Sequence, residues 1–370
     1  MLSLSVGQLL TLKVENLSFG GGRGVARHQG FVIFIPYVLP DEVVQVKVQK
    51  IKKTFAEAEL IKIIEASSER VKPPCKYFEI CGGCVWQHIK YEKQLEYKQQ
   101  LYIHFLKDFP EVKILDIQGS DFEYHYRNRI QVQVLEGKVG FHQRKSHDMI
   151  EVDTCLIAEN EINNHLDRLK SMKSGRYEIY RDPENYNILH RSQKNKSEAL
   201  TFSQVNERQN KKICNELIAW SSQIKSQKIL ELFCGAGNFS FPLLKAQPHR
   251  QLVGVDGSSF LINKAKSYSN ERSKFLKADL NSHFVSKNFS HEHFDLVLVD
   301  PPRVGCTKDL LTDICKLQPD NIIYISCNPS TLARDLHLLS QHNYKPIKSQ
   351  AFDMFPQTDH IESMTLVSKK

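Results

Sequence analysis

From residue 228 onward, short apolar runs alternate with helix-like stretches, and this alternation restricts the fold more than any other feature of the chain. The runs are rich in β-branched residues and are followed by polar or acidic residues; they span 228–232, 251–255, 294–299 and 321–326. Strands that alternate with helices in this way predict a doubly wound parallel sheet. Ligands of such sheets bind outside the carboxyl ends of the strands, so the residues that follow each run are the candidate site.

The residues after the first three runs indicate a methyl-donor site. Gly235 and Gly237 let the backbone approach a ligand closely. A third glycine of the dinucleotide fingerprint and the Gly-Lys-Ser/Thr of a phosphate loop are both missing from this turn. Asp256, at the end of the second run, suits the hydroxyls of a ribose, and Asp279 suits an adenine amino group. With Asp300 in Asp-Pro-Pro, this ordered set predicts an S-adenosylmethionine-dependent methyltransferase.

Cys327 follows the fourth run, in the sequence Ser-Cys-Asn-Pro. By itself it fits either a nucleophile at a strand end or a small buried core residue. The donor site favours the nucleophile, because methylation at C5 of a pyrimidine requires a thiolate to add at C6 first. That route also requires a base for the C5 proton. Glu362, which precedes the last apolar run, is the candidate base, with an exposed strand-end acid as the alternative.

Nine cysteines are an odd number, and we expect no export signal, so a disulfide framework is not predicted. Cys75, Cys81 and Cys84 lie within ten residues, and Cys155 is the next cysteine along the chain. Four thiolates suit zinc or an iron–sulfur cluster. A triplet with one distant cysteine favours the cluster over the two close pairs of a typical zinc site, and a chance grouping is the remaining alternative.

The first 66 residues contain short alternating runs separated by glycine turns, which predicts a small β-barrel. We expect strands near 8–14, 31–35, 42–49 and 56–64, with Arg23, Arg27 and His28 in a glycine-rich loop. A formal charge of +8 suggests a polyanionic partner, and basic loops on such a barrel suit an RNA backbone. A solvated basic surface is the alternative.

The middle of the chain combines several kinds of segment. A polar linker is expected at 65–74, a helix at 89–109 that ends before Pro110, basic and aromatic strands at 122–149, and a helix at 158–171. Apolar runs long enough to cross a bilayer do not occur, so we expect a cytoplasmic protein without a membrane partner. We also expect a monomer.

Taken together, these motifs resemble the RNA uracil-5-methyltransferases, most closely the 23S rRNA members with a TRAM barrel and an iron–sulfur cluster. The resemblance covers essentially the whole chain, including the glycine-rich segment 19–27 and Pro40. It implies a TRAM, OB-like β-barrel at 1–66, an α+β iron–sulfur domain at 67–88 and 119–200, and a Rossmann-like class I methyltransferase domain at 89–118 and 201–370. It also implies that a helix at about 89–118 packs on the methyltransferase domain.

The resemblance assigns roles residue by residue. Cys75, Cys81, Cys84 and Cys155 would bind a [4Fe-4S] cluster, Cys327 would be the nucleophile and Glu362 the base. The residues that would line S-adenosylmethionine and its junction with the target base are Gln204, in Phe202-Ser203-Gln204, with Phe233, Asn238, Asp256, Asp279 and Asp300. Asp256 stands where the family more usually has a glutamate.

The expected reaction is methyl transfer to C5 of a uridine in RNA, most closely matching 23S rRNA. Three alternatives stay open: a tRNA uracil-5-methyltransferase, an RNA cytosine-5-methyltransferase, and a non-catalytic RNA-binding iron–sulfur protein. A cytosine-5 enzyme of RNA would need a second working cysteine near Asp-Pro-Pro, and Cys306 is the candidate.

Overall fold

A computed structural model describes residues 4–144, 146–182, 185–191, 204–280 and 283–369. The chain divides into two compact units, and both are discontinuous in sequence. Unit 1 comprises Met1–Leu101, Phe122–His190 and Phe355–His360. Unit 2 comprises Tyr102–Asp121, Arg191–Met354 and Ile361–Lys370. The finer division into three domains stays a prediction.

The described residues form eighteen strands and nine helices. The strands are β1 (Leu9–Leu17), β2 (Gly24–His28), β3 (Phe31–Ile35), β4 (Val43–Ile51), β5 (Phe55–Glu65), β6 (Lys113–Gln118), β7 (Arg129–Leu135), β8 (Lys138–His142), β9 (Met149–Glu151), β10 (Gly175–Asp182), β11 (Asn185–His190), β12 (Lys228–Leu232), β13 (Gln251–Asp256), β14 (Ser273–Lys277), β15 (Leu296–Val299), β16 (Asn321–Ser326), β17 (Tyr344–Phe352) and β18 (Glu362–Lys369). The helices are α1 (Tyr91–Phe105), α2 (Asn160–Asn163), α3 (Leu166–Leu169), α4 (Glu207–Gln223), α5 (Ser240–Ala246), α6 (Ser259–Ser267), α7 (Phe284–Phe289), α8 (Lys308–Lys316) and α9 (Pro329–Ser340).

Unit 1 begins with a closed barrel in the order β1-β2-β3-β5-β4. Buried and exposed residues alternate along β1 and β4, as expected for strands with one face on a core. Val14, Val44 and Val46 belong to that core. The predicted barrel is confirmed, but the placement of Arg27 and His28 in a loop is wrong. Both lie on β2, whose five residues between glycines are too few to show a clear alternation.

A second sheet of unit 1 has five strands in the order β11-β10-β7-β8-β9, all antiparallel to their neighbours. Its core contains Ile130, Val132 and Ile179 and is covered by residues of α2 and α3, including Ile162 and Leu166. The single helix expected at 158–171 is therefore two short helices. This sheet holds most of the basic and aromatic strands predicted at 122–149.

Unit 2 is built on an eight-stranded sheet in the order β14-β13-β12-β15-β16-β18-β17-β6. Every pairing is parallel except the two made by β18. Central strand β15 is buried along its whole length, and β16 is buried after its first residue. This confirms the predicted doubly wound α/β architecture and brings the ends of β12, β13, β15 and β16 to one edge.

The continuous helix expected at 89–118 is wrong. Helix α1 ends at Phe105, and Lys113–Gln118 forms β6, which pairs in parallel with β17. The boundary between the two units falls within α1, after Leu101. Among the described residues, no helix is long and apolar enough to cross a membrane.

Candidate active site

Cys327 occupies the turn between β16 and α9. The Ser326 hydroxyl donates to the carbonyl of Asn328 (3.0 Å), and the Asn328 amide donates back to the Ser326 oxygen (3.1 Å). Asn328 also caps α9, because its side-chain oxygen accepts from the amide of Ser330 (3.1 Å), and Pro329 occupies the first turn. The thiol therefore lies on a turn whose backbone is fixed on both sides, just ahead of a helix N-terminus.

Glu362 is brought to Cys327 by strand register. The antiparallel ladder between β16 and β18 ends with the pair of Ser326 and Ser363. Cys327 directly follows Ser326 and Glu362 directly precedes Ser363, so both residues adjoin the last pair of the ladder, and the charge of Glu362 acts on the Cys327 thiol. The glutamate is only 3% exposed, so the alternative of an exposed strand-end acid is wrong. Burial, and then the nearby Asp300, raise the pKa of Glu362 well above its ordinary value.

The surroundings of Cys327 favour its neutral thiol in the free protein. Burial raises the pKa of the thiol to about 12, and the negative charges of Glu362 and Asp300 act in the same direction. Arg303 opposes them and lowers the pKa of both Cys327 and Glu362. The Cys327 thiol, the two carboxyls and the Arg303 guanidinium therefore belong to one electrostatic group.

Arg303 is the residue of this group that sequence reasoning did not assign. It is exposed and follows Asp-Pro-Pro after β15. Its carbonyl accepts hydrogen bonds from the side chains of Asn328 (3.1 Å) and Thr331 (3.3 Å), which tie its loop to the start of α9. The signal available in the sequence was the position of a single cation one residue beyond Asp-Pro-Pro.

The glycine turn after β12 has the conformation expected for close approach to a ligand. Phe233, Gly235 and Gly237 all have positive φ values, of 63°, 55° and 91°. A Cβ atom at Gly237 would lie 2.3 Å from the ring of Phe241, so only glycine fits there. The Asp256 carboxylate accepts from the amide of Gly235 (3.0 Å), which joins the ends of β12 and β13.

Two further acids lie in the same region with raised pKa values. Burial and the nearby Asp256 raise the pKa of Asp300 to about 7. Burial, with smaller effects of Asp300 and Asp256, raises the pKa of Glu231 to about 8, although a hydrogen bond from the Ser240 hydroxyl lowers it. Glu231 within β12, Asp256 at the end of β13 and Asp300 directly after β15 thus form a continuous electrostatic group that Asp300 links to Cys327.

The other predicted donor residues all lie in unit 2. Asn238 exchanges side-chain hydrogen bonds with Asn210 on α4 (2.8 and 3.1 Å). Gln204 is buried just ahead of α4, and Asp279 is exposed two residues after β14. Phe202 and Ser203, which belong to the predicted Gln204 motif, lie outside the described residues. Contacts of these side chains with a methyl donor stay predictions.

The four predicted cluster cysteines come together in unit 1. Cys84 interacts electrostatically with Cys75, Cys81 and Cys155. Burial raises the pKa of Cys84 to about 12 and that of Cys155 to about 11. Asp153 also joins the segment around Cys155 to the segment that follows Cys75. Its carboxylate pairs with the Lys76 ammonium (2.6 Å) and accepts a hydrogen bond from the Tyr77 hydroxyl (2.8 Å).

A second group of possible metal ligands lies in unit 2. Within the described ranges, the ligand atoms of His293, Asp295 and Asp320 all lie within 4.8 Å of one another. Four thiolates such as those of unit 1 suit zinc or an iron–sulfur cluster.

Comparison with known proteins supplies the family. A TRAM domain model matches residues 4–61, a methyltransferase domain model matches 229–309, and a tRNA (uracil-5-)-methyltransferase model matches 278–370. The 23S rRNA (uracil(1939)-C(5))-methyltransferase RlmD of Mannheimia succiniciproducens is 31% identical over 416 residues, covering 94% of this chain and 93% of the relative. The chain belongs to the RNA uracil-5-methyltransferase family.

Two other relatives agree. An uncharacterized RNA methyltransferase of Bdellovibrio bacteriovorus is 34% identical, over 97% of this chain and 95% of its own length. The crystal structure of Pyrococcus abyssi tRNA (uracil-54, C5)-methyltransferase in complex with S-adenosyl-L-homocysteine has a TM-score of 0.75 at 22% identity, covering 97% of this chain and 100% of that one, which shows a common fold.

As a member of the uracil-5-methyltransferase family, the chain is an S-adenosylmethionine-dependent enzyme whose substrate is RNA. This confirms the predicted enzyme class, the TRAM barrel and the class I methyltransferase fold. It also excludes the non-catalytic iron–sulfur protein. The roles of individual residues, the covalent route, the cluster and the particular RNA go beyond what family membership shows.

Proposed function

We propose that this enzyme methylates C5 of a uridine in 23S rRNA through a covalent adduct between Cys327 and C6 of the base. The observation that carries the proposal is the place of Cys327 and the buried Glu362 directly beyond the last pair of the β16–β18 ladder, where the two groups interact electrostatically. A methyltransferase acting on nitrogen or oxygen has no use for such a pair, whereas C5 chemistry needs both a nucleophile and a base.

The proposed reaction conserves every atom. The Cys327 thiolate forms a bond to C6, and the electrons of the C5–C6 double bond move onto the O4 carbonyl as an enolate. Carbon C5 then takes the methyl group of S-adenosylmethionine, leaving S-adenosylhomocysteine. The Glu362 carboxylate removes the C5 proton, the double bond reforms, and the C6–S bond breaks to return the thiolate.

The charges around the pair account for how the nucleophile is restrained and released. In the free protein, burial and neighbouring carboxylates raise the pKa values of the Cys327 thiol and the Glu362 carboxyl, which favours their neutral forms. Arg303 is the nearby cation that favours both ionised forms. We propose that the proton of each group passes to solvent when the positively charged methyl donor binds, so that Cys327 is a thiolate and Glu362 a carboxylate before the reaction begins, and that Arg303 stabilises both.

The donor would bind at the carboxyl ends of β12, β13 and β15. S-adenosylmethionine supplies an electrophilic methyl group on a positively charged sulfur, and the acids of this edge suit a cation. In the proposal, Asp256 accepts from the ribose hydroxyls and Asp279 from the adenine amino group. Gln204, Phe233, Asn238 and Asp300 complete the pocket.

We propose that Cys75, Cys81, Cys84 and Cys155 bind a [4Fe-4S] cluster. One observation supports the fit: the thiols of Cys75, Cys81 and Cys155 all lie close enough to Cys84 to raise its pKa. Iron would supply the positive charge that lets these buried thiols ionise. Methyl transfer needs no electron, so the cluster's contribution is the shape of unit 1.

Two alternatives differ from this proposal, one in the RNA that is methylated and the other in the target nucleobase. The curated relatives named as 23S rRNA enzymes support a ribosomal substrate, and the archaeal tRNA enzyme supports the fold alone. A cytosine-5 enzyme would use Cys306 as a second nucleophile. That thiol is buried, and its electrostatic neighbours are Asp335, Tyr324 and Arg334 rather than the Cys327 group, which counts against such a role.

The proposal is tested by methylating RNA with labelled S-adenosylmethionine and analysing the nucleosides. We expect 5-methyluridine from 23S rRNA transcripts and background label from tRNA transcripts. In the Glu362→Gln enzyme we expect the covalent protein–RNA adduct to accumulate on denaturing gels. Label in 5-methylcytidine would contradict the uracil assignment, and normal turnover by Glu362→Gln would contradict the base assignment.

A further inference from the structure

The return loop, which we define as residues 355–360, joins β17 to β18 and ends two residues before Glu362. Its flanking strands belong to unit 2, but the return loop itself belongs to unit 1. The chain therefore leaves the methyltransferase sheet after Met354, is held in the other unit for six residues, and returns at Ile361 to begin β18.

Within unit 1, a single carboxylate fastens the return loop to the glycine-rich segment of the barrel. Asp359 Oδ2 accepts from the backbone amides of Gly20 (2.7 Å), Gly21 (2.7 Å) and Gly22 (3.0 Å). All three glycines have positive φ values, of 83°, 126° and 56°. Successive amides that converge on one point form an anion-binding nest, and hydrogen bonds to a charged acceptor are stronger than neutral ones.

The nest itself is held rigidly. The Trp86 indole donates to the carbonyl of Gly22 (3.1 Å), and the Arg144 guanidinium donates to the carbonyl of Gly21 (2.8 Å). A Cβ atom at Gly22 would lie 2.5 Å from the Trp86 indole nitrogen, so the tryptophan packs directly on the glycine backbone. The buried side chain of Trp86 thus packs against the backbone of the segment that binds Asp359.

The rest of the return loop is bound through its backbone. The carbonyl of Gln357 accepts from the amides of Val85 and Trp86, both at 3.0 Å, directly after Cys84. The other links are Gln94 with Gln357 (two bonds of 3.0 Å), Lys98 with the Phe355 carbonyl (3.1 Å) and Tyr126 with the Pro356 carbonyl (3.1 Å). Unit 1 therefore holds the return loop at four of its six residues.

We propose that Asp359 is a positioning residue for Glu362. The inference rests on the proposed role of Glu362 as the base. Three residues span at most about 10 Å of extended chain, so the hydrogen bonds to Asp359 restrict the conformations of the short segment that leads into Glu362. Glu362 is the first residue of β18 and lies one residue beyond the last pair of the β16–β18 ladder, so it keeps only its pairing with Phe352 on β17, and strand ends fray most easily. The nest on Asp359 prevents that fraying and keeps the carboxylate aimed at the C5 proton.

The inference predicts which step fails when the nest is lost. Asp359→Asn removes the negative charge that three amides share, at nearly constant volume. We expect kcat to fall about 10- to 100-fold, the size of effect that a displacement of about 1 Å produces at a catalytic group. The methylated protein–RNA adduct should accumulate, because proton removal follows methyl transfer. Dissociation constants for RNA and S-adenosylmethionine should change less than about twofold.

Two variants keep the test independent of folding. Asp148→Asn removes an exposed carboxylate of the same unit and should behave as wild type. Gly20→Ala changes the glycine-rich segment instead of the aspartate. The added Cβ atom would have no other atom within 4 Å, but the backbone φ of 83° at this position is strained for any residue except glycine. We expect Gly20→Ala to accumulate adduct too, and the double variant to be no worse than the more impaired single variant.

The outcomes separate this inference from the proposed function. Adduct accumulation by Glu362→Gln together with normal turnover by Asp359→Asn would overturn the positioning role and leave the base assignment standing. Normal turnover by both variants would overturn both. Slow turnover by Asp359→Asn without adduct, accompanied by weaker RNA binding, would assign Asp359 to RNA binding instead and would also overturn the inference.

Discussion

Burial raises the thiol pKa of both Cys327 and Cys84, but the groups around these two cysteines differ. Around Cys327 the neighbours are two carboxyls and one guanidinium, Glu362, Asp300 and Arg303. Around Cys84, the neighbours whose charges raise the thiol pKa are three other thiols. A thiol with an acid and a cation beside it can exchange a proton and attack a substrate. Four thiols together gain most from shared metal ions.

The comparison teaches that a raised pKa does not by itself distinguish a reactive cysteine from a ligand. In both groups the largest cause is burial, which any core cysteine shares. The distinguishing feature is the kind of neighbour whose charge adds to the effect of burial. At Cys327 these neighbours are the carboxyls of Glu362 and Asp300, and at Cys84 they are three other thiols.

The largest effect is expected from removal of the nucleophile. Cys327→Ala should abolish formation of 5-methyluridine, a loss of at least about 10⁴-fold, while binding of S-adenosylmethionine is retained. Label incorporation and calorimetric titration with the donor measure the two properties. Cys315→Ala, at a buried cysteine on α8, is the matched control and should keep its activity. Methylation of RNA by the Cys327→Ala enzyme would contradict the proposed role of Cys327 as the nucleophile, and with it the difference in function between Cys327 and the four-cysteine group.

The second-largest effect is expected when a cysteine of the four-cysteine group in unit 1 is replaced. Cys84→Ser should remove the metal centre, so that anaerobically purified protein loses its brown colour and about four irons per chain. Thermal unfolding should begin at a lower temperature, because bound metal stabilises the folded unit. Cys214→Ser, at a buried cysteine on α4, should keep the iron. About one zinc per chain in the wild type would contradict the cluster.

The smallest effect is a pH dependence of donor binding. The pKa of Asp300 is raised to about 7, so its neutral form is favoured below that pH, and the stability of the free protein falls as pH rises through it. A sulfonium prefers the ionised carboxylate. Affinity for S-adenosylmethionine should therefore rise up to about tenfold between about pH 6 and 8, and affinity for S-adenosylhomocysteine should rise less.

Substitutions of two acidic residues test whether Asp300 causes this pH dependence. Asp300→Asn should flatten the difference between the two ligands across this pH range, as measured by calorimetric titration. Asp309→Asn, at an exposed acid in the first turn of α8, should leave it unchanged. Equal pH profiles for the two ligands in the wild type would assign the pH dependence to a group that does not sense the sulfonium.

The sequence predicted the features that depend on neighbours along the chain. The strands that lead to Asp256, Asp300 and Cys327 are visible as apolar runs, and the structure has them where expected. The cysteine triplet at 75, 81 and 84 and the barrel likewise follow from local spacing. The cluster, its ligands and the role of each site residue stay predictions.

Features that depend on distant pairing were missed. Strand β6 was placed within a helix, because its partner β17 lies more than 200 residues further on and leaves no local pattern. The burial of Glu362 follows from its place between β16 and β17 and could not be inferred from one acid ahead of an apolar run. The bond between Asp359 and the glycine-rich segment joins residues 337 to 339 positions apart.

The pairing of β16 with β18 also determines which changes of chain length the catalytic pair tolerates. Side chains alternate between the two faces of a strand, so the face that Glu362 occupies depends on parity. Removing one residue between Ser363 and the buried Val367, with the rest of β18 kept in register, would turn the Glu362 carboxyl away from Cys327. Insertions beyond Lys369 would leave that parity intact. Evolution within this fold is therefore free to extend the end of β18 but not to shorten its interior by a single residue.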